Sequence, residues 1–170
     1  MININIFYNN KNINKIYKCL KFKNILKIVI MGNSQSSQKI NFEDIQYVLK
    51  NPESHILINT LNLSDQDCLI PNTISASQEE LIINKLIKNG NKNVKIIIYG
   101  KNCNDENTYK KYSQLSSLGF YNVYIYTGGM FEWLLLQDIY NSTDFPTTKK
   151  ELDVLKFKPN KVLNISLLEY

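Results

Sequence analysis

The chain has 170 residues, with 20 lysines, no arginine, 15 acidic residues, one histidine and three cysteines. That length suits one domain with a real core, and no apolar run is long enough to span a bilayer. The lone His55 argues against an imidazole-based zinc site or a Ser-His-Asp triad, and the absence of arginine removes the planar guanidinium on which most phosphate and sulfate sites rely.

Residues 1–30 form a low-complexity run of Asn, Ile and Lys with six lysines and no acid. The remaining 140 residues carry 14 lysines against all 15 acids, a net charge of −1, so the basic balance belongs to the extension. The rest of the chain has no nucleic-acid footprint. The extension lacks the Arg and Ser usual in transit peptides. It is followed by "MGNSQSSQ", Met31 to Gln38. If the chain starts at Met31, then Gly32 and Ser36 match the N-myristoylation pattern; read internally, the same octet is a linker. The division expected is 1–38 as extension and linker, 39–148 as folded domain and 149–170 as a C-terminal tail.

From Ile40 the pattern becomes globular. "NFEDIQYVLKN" places Phe42, Ile45, Val48 and Leu49 at helical spacing, with Asn41 as N-cap and Asn51-Pro52 as the stop. "HILINTL" is a short apolar run of buried-strand type. "TISASQEELIINKLIKNG" passes from a short strand into a helix capped by Ser75 or Ser77 and ended by Asn89-Gly90. "VKIIIYG" is the clearest buried strand, and Asn104 or Asp105 caps the helix that runs on to Gly119. "NVYIY" gives a further strand and "MFEWLLLQDIY" a helix that is apolar beyond one stripe. Strands alternating with helices predict an α/β fold, a central parallel sheet with helices on both faces. The tail from Pro146 is expected to lie loosely across the body.

In such folds ligands bind beyond the carboxyl ends of the strands, where loops lead into helix N-termini. "GKNCNDENT" after Tyr99 is such a loop, and its backbone N–H groups are placed to form an anion nest. Gly100, Lys101, Asn102, Asn104 and Asp105 make up the candidate anion or substrate loop. Cys103 is the candidate nucleophile, since a helix N-terminus favours a thiolate. Cys19 and Cys68 show no paired or metal-type spacing with it, which points to a reduced, intracellular, cytoplasmic protein with no metal site.

The ordered series "YG", "LGF" at Leu118–Phe120, "NVYIY" at Asn122–Tyr126, "GGMFEW" with Gly128, Gly129 and Trp133, and "FPTT" at Phe145–Thr148 resembles a single rhodanese-like domain. Upstream, "ILINTL" and "CLIPNTI" resemble the family's Ile-Asp-x-Arg and Gly-His-Ile-Pro-Gly-Ala segments. The likeness spans about Ile40 to Thr148. It implies a rhodanese-like fold in which sulfurtransferases carry a nucleophilic cysteine directly after the central strand, with loop N–H groups stabilising a persulfide. Here that position is Gly100, and Cys103 lies three residues further on. Asn59 and Leu61 stand where the family has Asp and Arg, and Asp105 and Glu106 place negative charge in the loop. The related phosphatases need an arginine in their Cys-x5-Arg loop, which excludes that chemistry.

Two functions follow from the resemblance. One is a non-catalytic binding or regulatory module, tethered to membrane if Gly32 is acylated. The other is a thiosulfate sulfurtransferase using Cys103, with Lys101 standing in for the missing arginine. The partner expected is a protein or a small sulfur compound, with peripheral membrane contact through the acyl group. Neither reading calls for a cofactor.

Overall fold

The computed structural model describes residues 37–161. Gly32 and the low-complexity extension lie outside the described residues. Four strands, β1 (Gln38–Ile40), β2 (His55–Asn59), β3 (Lys95–Tyr99) and β4 (Val123–Tyr126), form one sheet in the order β1-β4-β3-β2. Every pairing is parallel, with Ile97 opposite Leu57 on one side and Tyr124 on the other. Strand β1 starts at Gln38, inside the octet read as linker. Its three residues carry no apolar run and sit on the sheet edge, so sequence pattern does not announce them.

Four helices connect and cover the strands: α1 (Phe42–Lys50), α2 (Ala76–Lys88), α3 (Glu106–Ser117) and α4 (Gly129–Ile139). Helix α1 begins where expected because Asn41 makes a capping box. Its Oδ1 accepts from Asp44 N at 3.1 Å, while Asp44 Oδ2 accepts from Asn41 N at 3.0 Å. Such a cap contributes about 1 kcal/mol. Ser75 occupies the N-cap of α2 and Asp105 that of α3, which resolves both alternatives left by the sequence.

The period of two along the central strands sorts the core into two layers. Ile96 and Ile98 of β3, with Val123 and Ile125 of β4, meet Ile83 of α2 and Tyr112 and Leu115 of α3. Ile97, Tyr99 and Tyr126 point to the other face, against Ile45 and Val48 of α1 and Met130, Trp133 and Leu134 of α4. Trp133 is fully buried, stands edge-on to Tyr126 and Phe145, and donates from Nε1 to the Pro146 carbonyl at 2.9 Å. Helix α4 is not buried all round, since Ile139 is 70% exposed. Burial pushes the Tyr99 phenol far above its ordinary pKa. Its hydroxyl accepts from Ile70 N at 3.2 Å and pairs with Thr73 Oγ1 at 2.9 Å, which fixes the "CLIPNTI" segment to β3.

The described part of the tail, to residue 161, differs from expectation. Far from lying loosely, it places the fully buried Phe157, in a 3-10 turn at Val154–Phe157, in the same core layer as Trp133. A lone aromatic in a lysine-rich run has no periodicity to betray it. Thr148 stitches the approach, donating from its N to the Leu69 carbonyl at 2.8 Å and accepting from Leu69 N at 2.9 Å on Oγ1.

Candidate functional site

The C-terminal ends of β2, β3 and β4 bring together Thr60, the Gly100–Asp105 loop and the Gly128-Gly129 pair. Gly100 directly follows β3 and is itself buried. A side chain there would collide with Asp105 Oδ2 and would meet Thr108 Oγ1 at 2.5 Å and Thr60 Oγ1 at 2.8 Å. The absence of a Cβ at position 100 therefore leaves a small polar hollow, and three side chains from other parts of the chain fill it. Thr60 Oγ1 and Thr108 Oγ1 share a hydrogen bond of 3.2 Å, and Thr60 N donates to the Tyr99 carbonyl at 2.9 Å.

Asp105 is the centre of this arrangement. Its Oδ2 accepts from Lys101 N at 3.0 Å and its Oδ1 from Asn107 N at 3.0 Å. The loop's amides thus bind an anion, and the anion is the chain's own carboxylate. Asn104 N is likewise taken by Asn102 Oδ1 at 3.0 Å, and Asp105 N by the Asn102 carbonyl at 3.1 Å. The N-terminus of α4 is satisfied in a different way. Met130 N and Phe131 N each donate at 2.9 Å, to the Gly100 and Lys101 carbonyls respectively. Gly129 permits this approach: its φ is +61°, and a Cβ would lie 2.5 Å from the Gly100 carbonyl oxygen and 2.8 Å from Asn102 N.

Cys103 is exposed, and its Sγ donates to Asn104 Oδ1 at 3.6 Å. Lys101 is engaged: its Nζ lies 2.8 Å from Asp65 Oδ2. Asp65, in a 3-10 turn at Leu63–Asp65, is only 6% exposed and also meets Lys156 Nζ at 3.4 Å. Burial raises the Asp65 pKa, but hydrogen bonds and charge from Lys101 and then Lys156 outweigh it and hold the carboxyl below the ordinary 3.8. Asn102 is tied to the tail, its Nδ2 donating to the Phe157 carbonyl at 2.7 Å. Cys68 is buried, which pushes its thiol pKa up. His55 opens β2, at the opposite, N-terminal end of the strands, 2.7 Å from Ser54 Oγ. Among the described residues no cluster of three or more His, Cys, Asp or Glu side chains could hold a metal, and no helix is long and apolar enough to cross a membrane.

Thr60, Asp65, Thr108 and Phe157 were not legible as site residues. Only the position of Gly100, a glycine closing a buried strand, hints that other side chains must converge on it.

A family model for the rhodanese-like domain matches residues 46–136, more than half of the chain. The chain belongs to the rhodanese-like domain family. No curated protein matches it. Among solved structures, a protein from Bacillus halodurans is 20% identical, covering 69% of this chain and 81% of that one, with a TM-score of 0.48. The rhodanese-like domain of an Anabaena sp. protein is 20% identical over 79% of this chain and 93% of its own, also with a TM-score of 0.48. A thiosulfate sulfurtransferase from Pseudomonas aeruginosa is 16% identical over 59% of this chain and 19% of its own, with a TM-score of 0.48. The architecture is that of an α/β rhodanese-like fold, a parallel four-stranded sheet between helices.

Proposed function

We propose that this rhodanese-like chain is a non-catalytic binding module whose loop after β3 has lost sulfur transfer. The observation that carries this reading is the Asp105 carboxylate seated on Lys101 N and Asn107 N, beside Gly100. A persulfide or thiosulfate would need those same amides and would meet a negative charge already there. Two unit charges about 4 Å apart repel by about 4 kcal/mol at an effective dielectric of ~20, and thiosulfate carries two. The loop's one cation offers no relief, because Asp65 already neutralises Lys101.

Exposure of Cys103 is compatible with chemical modification of the thiol but supplies no cradle for a bound sulfane sulfur. The loop then serves as a surface for a protein partner. For a chain beginning at Met31, myristoylation of Gly32 would add a weak, reversible membrane contact, since one acyl chain alone does not anchor stably. Intact-mass measurement of such a chain expressed with an N-myristoyltransferase reads the acylation directly.

Sulfur transfer is tested by cyanide-dependent thiocyanate formation from thiosulfate, in the wild type and in Cys103→Ser. Background turnover in both is expected. Robust turnover that disappears in the serine variant would make Cys103 a nucleophile and this chain an enzyme.

A further inference from the structure

The family match ends at residue 136, and the segment Glu151–Phe157 lies beyond it. That segment nevertheless crosses the site, held in the core by Phe157 and the partly buried Val154 and at the site by a few polar contacts. Phe157 is fully buried, while Leu152 before the turn and Leu155 within it are 82% and 61% exposed. The Phe157 carbonyl accepts from Asn102 Nδ2 at 2.7 Å. Lys156 Nζ reaches Asp65 Oδ1 at 3.4 Å, with Glu151 Oε2 at 3.0 Å on its other side. An aromatic anchor with the aliphatic Val154 beside it, one cation on a buried carboxylate and one backbone hydrogen bond are the way a short peptide is recognised in a groove.

Asp65 is the feature that makes the groove selective. Its two oxygens face two different cations, Lys101 from the family-matched region and Lys156 from the added segment. When the segment leaves, a nearly buried carboxylate keeps one lysine and loses the other, beside an emptied aromatic hollow and the unoccupied Asn102 amide. We infer that this groove is a peptide-recognition site for a segment carrying a lysine directly followed by an aromatic residue, and that Lys156-Phe157 fills it in cis. The partner that displaces this strap is a protein presenting the same pair. The site draws its use from the binding-module reading, yet its test reads the groove alone, whatever the thiocyanate assay returns.

The probe is a fluorescein-labelled peptide with the sequence of Glu151–Asn160, followed by anisotropy against full-length protein. Phe157→Ala empties the hollow, so this variant should bind the peptide saturably. The wild type should bind at least ~10-fold more weakly, because the tethered strap competes at an effective concentration in the millimolar range. Adding Asp65→Asn to Phe157→Ala should weaken binding about tenfold, and a peptide with Ala in place of Phe should not bind. Saturable binding with this pattern supports the inference; no binding to a folded Phe157→Ala variant overturns it. If that variant does not fold, hydrogen exchange on the wild type decides. Strap amides at 154–158 that exchange ahead of β3 mark a detachable ligand, and strap amides that exchange only together with β3 mark a fixed part of the core and refute the proposal.

Discussion

Two helix N-termini stand side by side at the carboxyl ends of the two central strands, and the chain closes them by opposite means. At α3 the amides of Lys101 and Asn107 are satisfied by a charged group, the Asp105 carboxylate. At α4 the amides of Met130 and Phe131 are satisfied by neutral carbonyls of the adjoining loop. The first closure is electrostatic and reversible in principle, because removing one side chain would leave the amides intact and aimed at a hollow. The second is steric, because the carbonyls arrive on backbone that passes within van der Waals contact of Gly129. On the proposed reading, the loop keeps the geometry of an anion site while its own carboxylate takes the anion's place.

The steric closure is the less tolerant. Gly129→Ala combines a left-handed residue with a Cβ 2.5 Å from the Gly100 carbonyl oxygen, and neither can relax without moving the loop. A loss of about 2–4 kcal/mol is expected by urea denaturation. A loss under 0.5 kcal/mol would mean that the two loops are not locked together.

Asp65 enters the comparison because it holds Lys101, the loop's cation. Asp65→Asn leaves two lysines facing a neutral amide and should cost about 1–3 kcal/mol at pH 7. The folded-state pKa of Asp65 is lowered, so its contribution is fully present above its ordinary 3.8 and is lost as pH falls through the lower folded value. The difference in thermal midpoint between wild type and Asp65→Asn should therefore stay constant from about pH 8 to 5 and shrink below about pH 4. A difference that grew on acidification would contradict the ion pair.

The electrostatic closure is milder in stability. Asp105→Ala removes an N-cap and the bond from Lys101 N, for about 1–2 kcal/mol, while the α4 closure stays in place. The smallest effect is expected at the exposed Lys149–Asp67 pair, 2.9 Å apart, where solvent screens the charges and Lys149→Ala should leave the urea midpoint unchanged within error.

What could be read from the sequence follows the same division between local and distant causes. The buried strand "KIIIY", the Asn41 cap and the Gly-Gly before Trp133 are local signals, and each specifies an element or its end. Asp105 was legible as a helix cap and as a repelling charge. Its occupation of the nest was not, since that depends on Gly100 lacking a side chain and on Thr60 arriving 45 residues earlier in the chain. Lys101 invited a role as an arginine substitute because its partner, Asp65, lies in a polar turn with no motif. Phe157 was invisible for the corresponding reason: its burial is decided by the shape of the core beneath it, and nothing in its flanking residues encodes that.

The Asp105 carboxylate occupies the anion nest. The decisive measurement follows the backbone amide resonances of Lys101 and Asn107 during titration with thiosulfate, in wild type and in Asp105→Gly, a substitution that a helix N-cap tolerates at a cost of only a few tenths of a kcal/mol. No saturable shift is expected in the wild type, and a saturable shift of both amides in the variant. Saturable shifts of both amides in the wild type would show an open cradle and contradict that occupancy.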